Sequence, residues 1–125
     1  MLDIHGSNAY RPYDVDLGTM HGLSVAADAT IVPRLAAALR AAGLANLSDN
    51  RFPGAVNRTI VRYAHARGIP AVQLEFSVTR TVPQESRLGG HLFAQALEAL
   101  VRFLEGRGTC VPSATAATAA AASPP

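Results

Sequence analysis

The chain has 125 residues, a formal charge of +2 and 49% hydrophobic residues, which allows one domain at most. No apolar run approaches the roughly 20 residues that span a bilayer, and no secretory signal is visible at the N-terminus, so we expect a cytoplasmic protein with no membrane partner. All eleven basic residues are arginines, and they are scattered. A nucleic-acid partner is therefore not expected, because phosphate binding needs a concentrated basic patch.

The first half of the chain predicts two strands and one helix. Residues 2–5 read as a short strand, which Gly6 interrupts. Residues 14–17 alternate polar and apolar, as a half-buried strand does. Residues 30–42 have apolar residues on one face and predict a helix, with Asp28 or Thr30 as its N-cap. Gly43 is a natural stop for that helix.

The second half predicts two more strands and two more helices. Residues 44–48 and 70–78 read as strands, and 70–78 has the clearest alternation. Residues 59–66 predict a short helix. Residues 87–105 predict the longest helix, whose wide apolar stripe is expected to pack on the core. The residues of this stripe are Leu88, Leu92, Leu97, Leu100, Val101 and Leu104.

Strands that alternate with helices predict an α/β layer arrangement in residues 1–108. Too few helices are available to cover both faces of a largely parallel sheet. We therefore interpret the sheet as part of a larger one that is interrupted near its centre. We therefore expect an open, apolar strand edge near Leu2 and Ile4. Residues 109–125 are rich in Ala, Ser, Thr and Pro, and we interpret them as a disordered tail. The single cysteine, Cys110, lies in this tail and cannot form an internal disulfide.

Two residues on predicted strands are candidates for chemistry. His5 follows Asp3 at the end of the first strand, where ligands bind in open α/β sheets, so it is placed to bind a metal. The alternative is a histidine that is hydrogen-bonded in a turn. Glu75 lies within an apolar strand, where a carboxylate is costly unless it is paired, and such residues serve as general bases. The alternative is a strand residue that faces solvent.

Two arginines are candidates for substrate binding. Arg58 and Arg62 are four residues apart on the predicted short helix and would share a face. They could clamp a substrate carboxylate, or they could simply form a solvated helix face. His21, His65 and His91 have no metal-ligand spacing with one another.

Several strings of the sequence, taken together and in order, resemble the second half of N-formylglutamate amidohydrolases. They are Leu-Asp-Ile-His-Gly from Leu2, Tyr-Asp-Val-Asp-Leu-Gly-Thr from Tyr13, Asn-Arg-Phe-Pro-Gly from Asn50, and Ala-Val-Gln-Leu-Glu from Ala71. The resemblance extends from Leu2 to about Leu104. It implies a three-layer α/β/α fold around a mixed, largely parallel sheet similar to that of zinc carboxypeptidases.

The resemblance also implies roles for single residues. His5 corresponds to the third zinc ligand of that group, and Glu75 to its general base. Arg62 best matches the substrate-binding arginine, and Arg58 matches it less well. The implied reaction is zinc-dependent hydrolysis of an N-acyl amino acid such as N-formyl-L-glutamate.

The sequence departs from the family pattern in its zinc ligands. The first two zinc ligands form a His-x-x-Glu pair upstream of the third ligand, but only four residues precede His5 and the chain contains no such pair. Because a catalytic zinc site needs three protein ligands, the zinc site of this chain is expected to be incomplete and an N-terminal half to be missing. The alternative is a non-catalytic binding module or a remnant of the family.

Overall fold

The computed structural model describes residues 1–56 and 58–106, in which four strands form one mixed sheet beside three helices. The elements are β1 (Leu2–Gly6), β2 (Val15–Gly18), α1 (Ile31–Ala41), β3 (Leu47–Asp49), α2 (Ile60–His65), β4 (Val72–Phe76) and α3 (Arg87–Leu104). The strand order is β1-β4-β2-β3. The β1/β4 and β2/β3 pairs are parallel and the β2/β4 pair is antiparallel. The predicted α/β class is therefore confirmed, and the predicted tail lies outside the described residues.

The alternation of β4 sets the two faces of the sheet. Val72, Leu74 and Phe76 are buried in the main core, whereas Gln73 and Glu75 on the opposite face are half-buried. We call the opposite face the polar face. The main core also takes buried residues from β2, α1 and α3, so both long helices pack on the apolar face.

The prediction that β2 is half-buried is wrong, because all four of its residues are buried. β2 lies between β4 and β3, and residues 50–56 form a loop that covers its polar face. Asp16 accepts hydrogen bonds from the backbone N–H groups of Arg51 and Phe52, at 3.2 and 2.8 Å. A Cβ on Gly18 would lie 2.1 Å from the carbonyl oxygen of Phe52, so the loop sits directly on the strand.

Helix α1 begins and ends close to where the sequence predicts. Thr30 is its N-cap residue, but the Thr30 side chain makes no capping bond. Asp28 instead accepts hydrogen bonds from the backbone N–H and the hydroxyl of Thr30. The chain leaves the helix at Gly43, whose φ of +90° favours glycine.

The prediction for the stripe of α3 is largely wrong. Its most buried residues are Gly89, Ala96 and Ala99, because small side chains let the helix approach the sheet and α1 closely. Leu92 and Leu100 are partly buried, as expected. The other four stripe residues are exposed: Leu88, Leu97, Val101 and Leu104.

The expected open strand edge is present. β1 pairs with β4 alone among the described residues, so it forms one edge of the sheet. Leu2 packs partly against the main core, whereas Ile4 is 54% exposed.

Within residues 1–56 and 58–106, none of the helices has the length and apolar character that a membrane span requires.

A buried ion pair ties the sheet to α3. Arg80, which is 7% exposed, donates from Nη2 to Oδ1 of Asp14 at 2.8 Å and from Nη1 to Oε1 of Gln95 at 2.6 Å. The other carboxylate oxygen of Asp14 accepts from the backbone N–H of Asn46 at 3.0 Å. The backbone carbonyl of Asp14 accepts from Ser77. One carboxylate residue thus joins the segments that flank β2, β3 and β4.

We predict that Arg80→Met lowers the free energy of unfolding by about 3 kcal/mol, because it leaves the largely buried Asp14 carboxylate without its charge partner. Urea denaturation measures this change. The matched control is Arg102→Met, which removes an exposed i, i+4 pair with Glu98 and should cost at most about 0.5 kcal/mol. Equal losses in the two variants would contradict the central role of Arg80.

Candidate functional site

His5, Glu75 and Asp16 form a row across three neighbouring strands. His5 is the register partner of Glu75 in the parallel β1/β4 pair, and Asp16 is the partner of Glu75 in the antiparallel β2/β4 pair. Neighbouring strands are about 4.8 Å apart, and residues in register project from the same face. The structure therefore brings the two main sequence-predicted residues, His5 and Glu75, together on the polar face.

The His5 ring is oriented by a carboxylate. Nε2 of His5 lies 3.0 Å from Oδ1 of Asp3, which is buried, whereas the His5 side chain is 46% exposed. Asp3 thus lies against one ring nitrogen, and the other has no partner among the described residues. A carboxylate on the second ring nitrogen is typical of metal-binding histidines, because it fixes the tautomer and the ring orientation.

Asp16 is the most buried member of the row, with 1% exposure. Both of its carboxylate oxygens are occupied by backbone N–H groups of the 50–56 loop. We therefore interpret Asp16 as the residue that fastens this loop. Its carboxylate adds negative charge beside Glu75 but is already committed to structural bonds.

Tyr13 is a buried residue that the sequence analysis did not single out as a candidate. Tyr13 is 7% exposed and is not among the residues of the main core. Its hydroxyl is buried without a hydrogen-bond partner in the described structure. Tyr13 precedes β2, and β2 runs antiparallel to β4, so Tyr13 lies beyond the carboxyl end of β4.

Charged residues surround the Tyr13 ring. Burial raises the pKa of Tyr13 above its ordinary value of 10.0, and the negative charges of Asp16 and Glu75 raise it as well. The guanidinium groups of Arg11 and Arg51 act in the opposite direction. The phenol is therefore neutral near pH 7 and remains a hydrogen-bond donor next to the row.

Arg11 and Arg51 are two further residues near Tyr13 that the sequence analysis did not identify as candidates. The Arg51 guanidinium lies 6.0 Å from the centre of the Tyr13 ring. Arg11 lies 5.3 Å from the centre of the Phe52 ring and donates to Oγ of Ser7 at 3.1 Å. The 50–56 loop, which folds over β2, brings Arg51 to Tyr13 and Phe52 to Arg11. Neither contact could be predicted from local sequence.

The expected shared face of Arg58 and Arg62 is not formed. Helix α2 begins at Ile60, so Arg58 lies before the helix, where its φ is +75°. Arg62 lies within the helix, and its Nη1 donates to the backbone carbonyl of Ala55 at 2.9 Å. The premise of a helical arginine pair is therefore wrong, because Arg58 lies before the N-cap residue Thr59. The role of either arginine in binding substrate stays a prediction.

The described residues do not provide a complete metal site. They contain no group of three His, Cys, Asp or Glu side chains that could hold a metal ion. His5, with Asp3 on its ring, is suited to be one ligand, but zinc in a catalytic site takes three protein ligands. The residues present therefore do not fit a self-contained zinc centre.

Fold and site together define an α/β protein with a histidine and a glutamate side by side at the carboxyl ends of two parallel strands. Comparison with protein-family models, with curated proteins and with solved structures finds no significant match. The functional argument therefore depends on the site itself.

We predict that Tyr13→Phe leaves the free energy of unfolding at neutral pH unchanged or raises it by about 1 kcal/mol, because it removes a buried hydroxyl that has no partner. The raised pKa means that Tyr13 favours the folded state at lower pH and that this contribution is lost as pH rises through the folded-state pKa. Above pH 10 the free energy of unfolding should therefore fall less in Tyr13→Phe than in the unsubstituted protein.

Urea denaturation at neutral and alkaline pH tests both parts. The matched control is Tyr10→Phe, since Tyr10 is 82% exposed. A loss of more than about 1 kcal/mol at neutral pH in Tyr13→Phe would show that the hydroxyl has a stabilising partner after all.

Proposed function

We propose that this chain supplies His5 as a zinc ligand and Glu75 as the general base of an amidohydrolase that cleaves N-acyl amino acids such as N-formyl-L-glutamate. The observation that carries the proposal is the register pairing of these two residues on adjacent parallel strands. The resemblance to N-formylglutamate amidohydrolases names the same two residues from the sequence alone, without using the pairing.

Glu75 is suited to move a proton during hydrolysis. A carboxylate takes a proton from water while the water oxygen bonds to the acyl carbon, and the proton then passes to the departing amine nitrogen as the C–N bond breaks. Glu75 is half-buried, so water can reach it. Its neighbour Asp16 is occupied by backbone N–H groups, which leaves Glu75 as the carboxylate of the row that is available for this exchange.

The proposal requires ligands beyond those described. His5 is one ligand, so two more must come from residues outside the described ranges or from another polypeptide. The chain by itself is therefore expected to bind zinc weakly. The resemblance indicates that the missing pair has the pattern His-x-x-Glu.

An arginine is proposed to select an acidic substrate, since guanidinium groups bind carboxylates in bidentate fashion. The resemblance favours Arg62 and then Arg58, and both are exposed. Arg51 is a third candidate, because its guanidinium lies beside the Tyr13 ring near the row.

The second candidate function is a non-catalytic module that binds an acidic ligand or a partner chain. The incomplete set of metal ligands among the described residues favours it. The two candidates differ in what Glu75 does, because a binding module has no need of a proton acceptor at that position.

We predict that the chain with zinc alone releases little or no formate from N-formyl-L-glutamate. Activity should appear when a polypeptide with the His-x-x-Glu half of such an enzyme is added. Glu75→Gln should then reduce turnover by about 10²- to 10⁴-fold, because the proton acceptor is lost. Formate release measures turnover, and calorimetry measures zinc binding.

Two variants complete this experiment. His5→Ala should abolish turnover and weaken zinc binding by the complemented protein, whereas Glu75→Gln should leave zinc binding intact. Glu98→Gln is the matched control, since Glu98 is an exposed glutamate on α3. Full turnover in Glu75→Gln would overturn the proposed base. Substrate binding without turnover in every combination would establish the binding module instead.

A further inference from the structure

Three exposed apolar residues form one flank of α3. Leu97, Val101 and Leu104 follow the i, i+4, i+7 spacing of a single helical face and are 47%, 46% and 73% exposed. Gln95 and Leu97 lie on opposite sides of buried Ala96, because successive helical residues are about 100° apart. We call Leu97, Val101 and Leu104 the α3 flank.

The α3 flank faces the open edge of the sheet. The amide of Gln95 lies against Gly43 at the end of α1, so this side of α3 faces α1. The opposite side, which carries Leu97, faces away from α1. Because Ala96 of α3 packs in the main core with the residues of β4 and Leu2 of β1 packs against the same core, and β1 is the strand beyond β4, we infer that this side faces β1. Ile4 of β1 is in register with core residue Leu74, so it projects from the face of the sheet on which α1 and α3 pack. Ile4 and the α3 flank are therefore exposed apolar residues on the same face of the sheet.

The backbone of β1 offers hydrogen bonds along the same edge. The N–H of Val72 donates to the carbonyl of Met1, and the N–H of Ser7 donates to the carbonyl of Phe76. Alternate residues of a strand direct their backbone groups to the same side, so the odd-numbered residues of β1 face β4. The backbone groups of Leu2, Ile4 and Gly6 therefore face the open edge.

The sequence of β1 complements itself when two copies run antiparallel. With a two-fold axis at Ile4, Leu2 pairs with Gly6 of the second copy, and Ile4 pairs with Ile4. All the outward backbone groups then face one another. In this register Asp3 lies opposite His5 of the second copy, which places a carboxylate beside an imidazole.

Neighbouring registers are less favourable. An axis at residue 3 places two Asp3 carboxylates opposite each other, and directly opposed like charges destabilise a strand pair. An axis at residue 5 places two His5 rings opposite each other and removes Leu2 from the pairing. The register at Ile4 is the one that uses all five residues of β1 and opposes unlike groups.

We propose that a second copy of this chain pairs antiparallel with β1 about a two-fold axis at Ile4, so that the two four-stranded sheets join into one and the two α3 flanks contact each other. Such a contact is isologous and closes on itself, which ends the open edge instead of extending it into a fibre. The proposal stands on the sheet edge and α3, and does not rest on the proposed hydrolysis.

The first test is the mass of the full chain in solution, measured by sedimentation over a wide range of concentration. We expect twice the 13.0 kDa of one chain. Leu97→Glu combined with Val101→Glu should shift the chain to the monomer mass, because it places charge in the contact. The matched control is Ile60→Glu combined with Tyr63→Glu on α2, whose side chains are also exposed. Circular dichroism verifies that each variant is folded.

The second test fixes the register. In a Cys110→Ser background, Ile4→Cys places two cysteines on the proposed axis. Opposed residues in such a pair have Cα atoms about 5.5 Å apart, which lies within the range of a disulfide. Mild oxidation should link the Ile4→Cys chains into a dimer on a non-reducing gel, whereas the exposed control Leu23→Cys should stay unlinked.

Three results would overturn the proposal. They are a monomer mass throughout the concentration range, equal cross-linking at positions 4 and 23, and a dimer that persists in the folded Leu97→Glu, Val101→Glu variant. A monomer that associates only with an added polypeptide would assign the edge to a different partner.

Discussion

The buried Arg80–Asp14 pair is the interaction on which the arrangement of the sheet depends. A charged pair in a largely buried position is costly unless its remaining hydrogen bonds are satisfied, and here Gln95 and the backbone of Asn46 satisfy them. The pair holds the start of β2 against the segment that follows β4, and it ties both to α3. The ion pair therefore adds a side-chain contact to the antiparallel backbone pairing of β2 with β4.

The geometry of the candidate site depends on the antiparallel pairing of β2 with β4. Because β2 runs against β4, Asp16 lies beside Glu75 and Tyr13 reaches the carboxyl end of β4. The parallel pairing of β1 with β4 then adds His5 from the other side. The row is thus assembled from three separate strands, which backbone pairing brings into register.

Local sequence predicted the elements well where one pattern dominated. The alternation of β4 gave its two faces correctly, and Gly43 marked the end of α1. Patterns failed where the tertiary environment decides burial. The leucines of α3 have helical periodicity, but Ala96 and Ala99 make the close contact. β2 alternates, yet the covering loop buries its polar residues too. Tyr13 and Arg51 approach each other because the loop folds back over β2, which local periodicity cannot reveal.

The contact of Gly18 with the 50–56 loop affects how a mutational scan of this protein should be read. Gly18 contributes no side chain to the site, yet any larger residue would displace the Phe52 carbonyl and, with it, the N–H groups that hold Asp16. In a saturation screen scored by function, substitutions at position 18 would therefore be as poorly tolerated as substitutions of a functional residue. Measuring protein abundance in parallel would separate the two, since damage to the loop also affects the folded population.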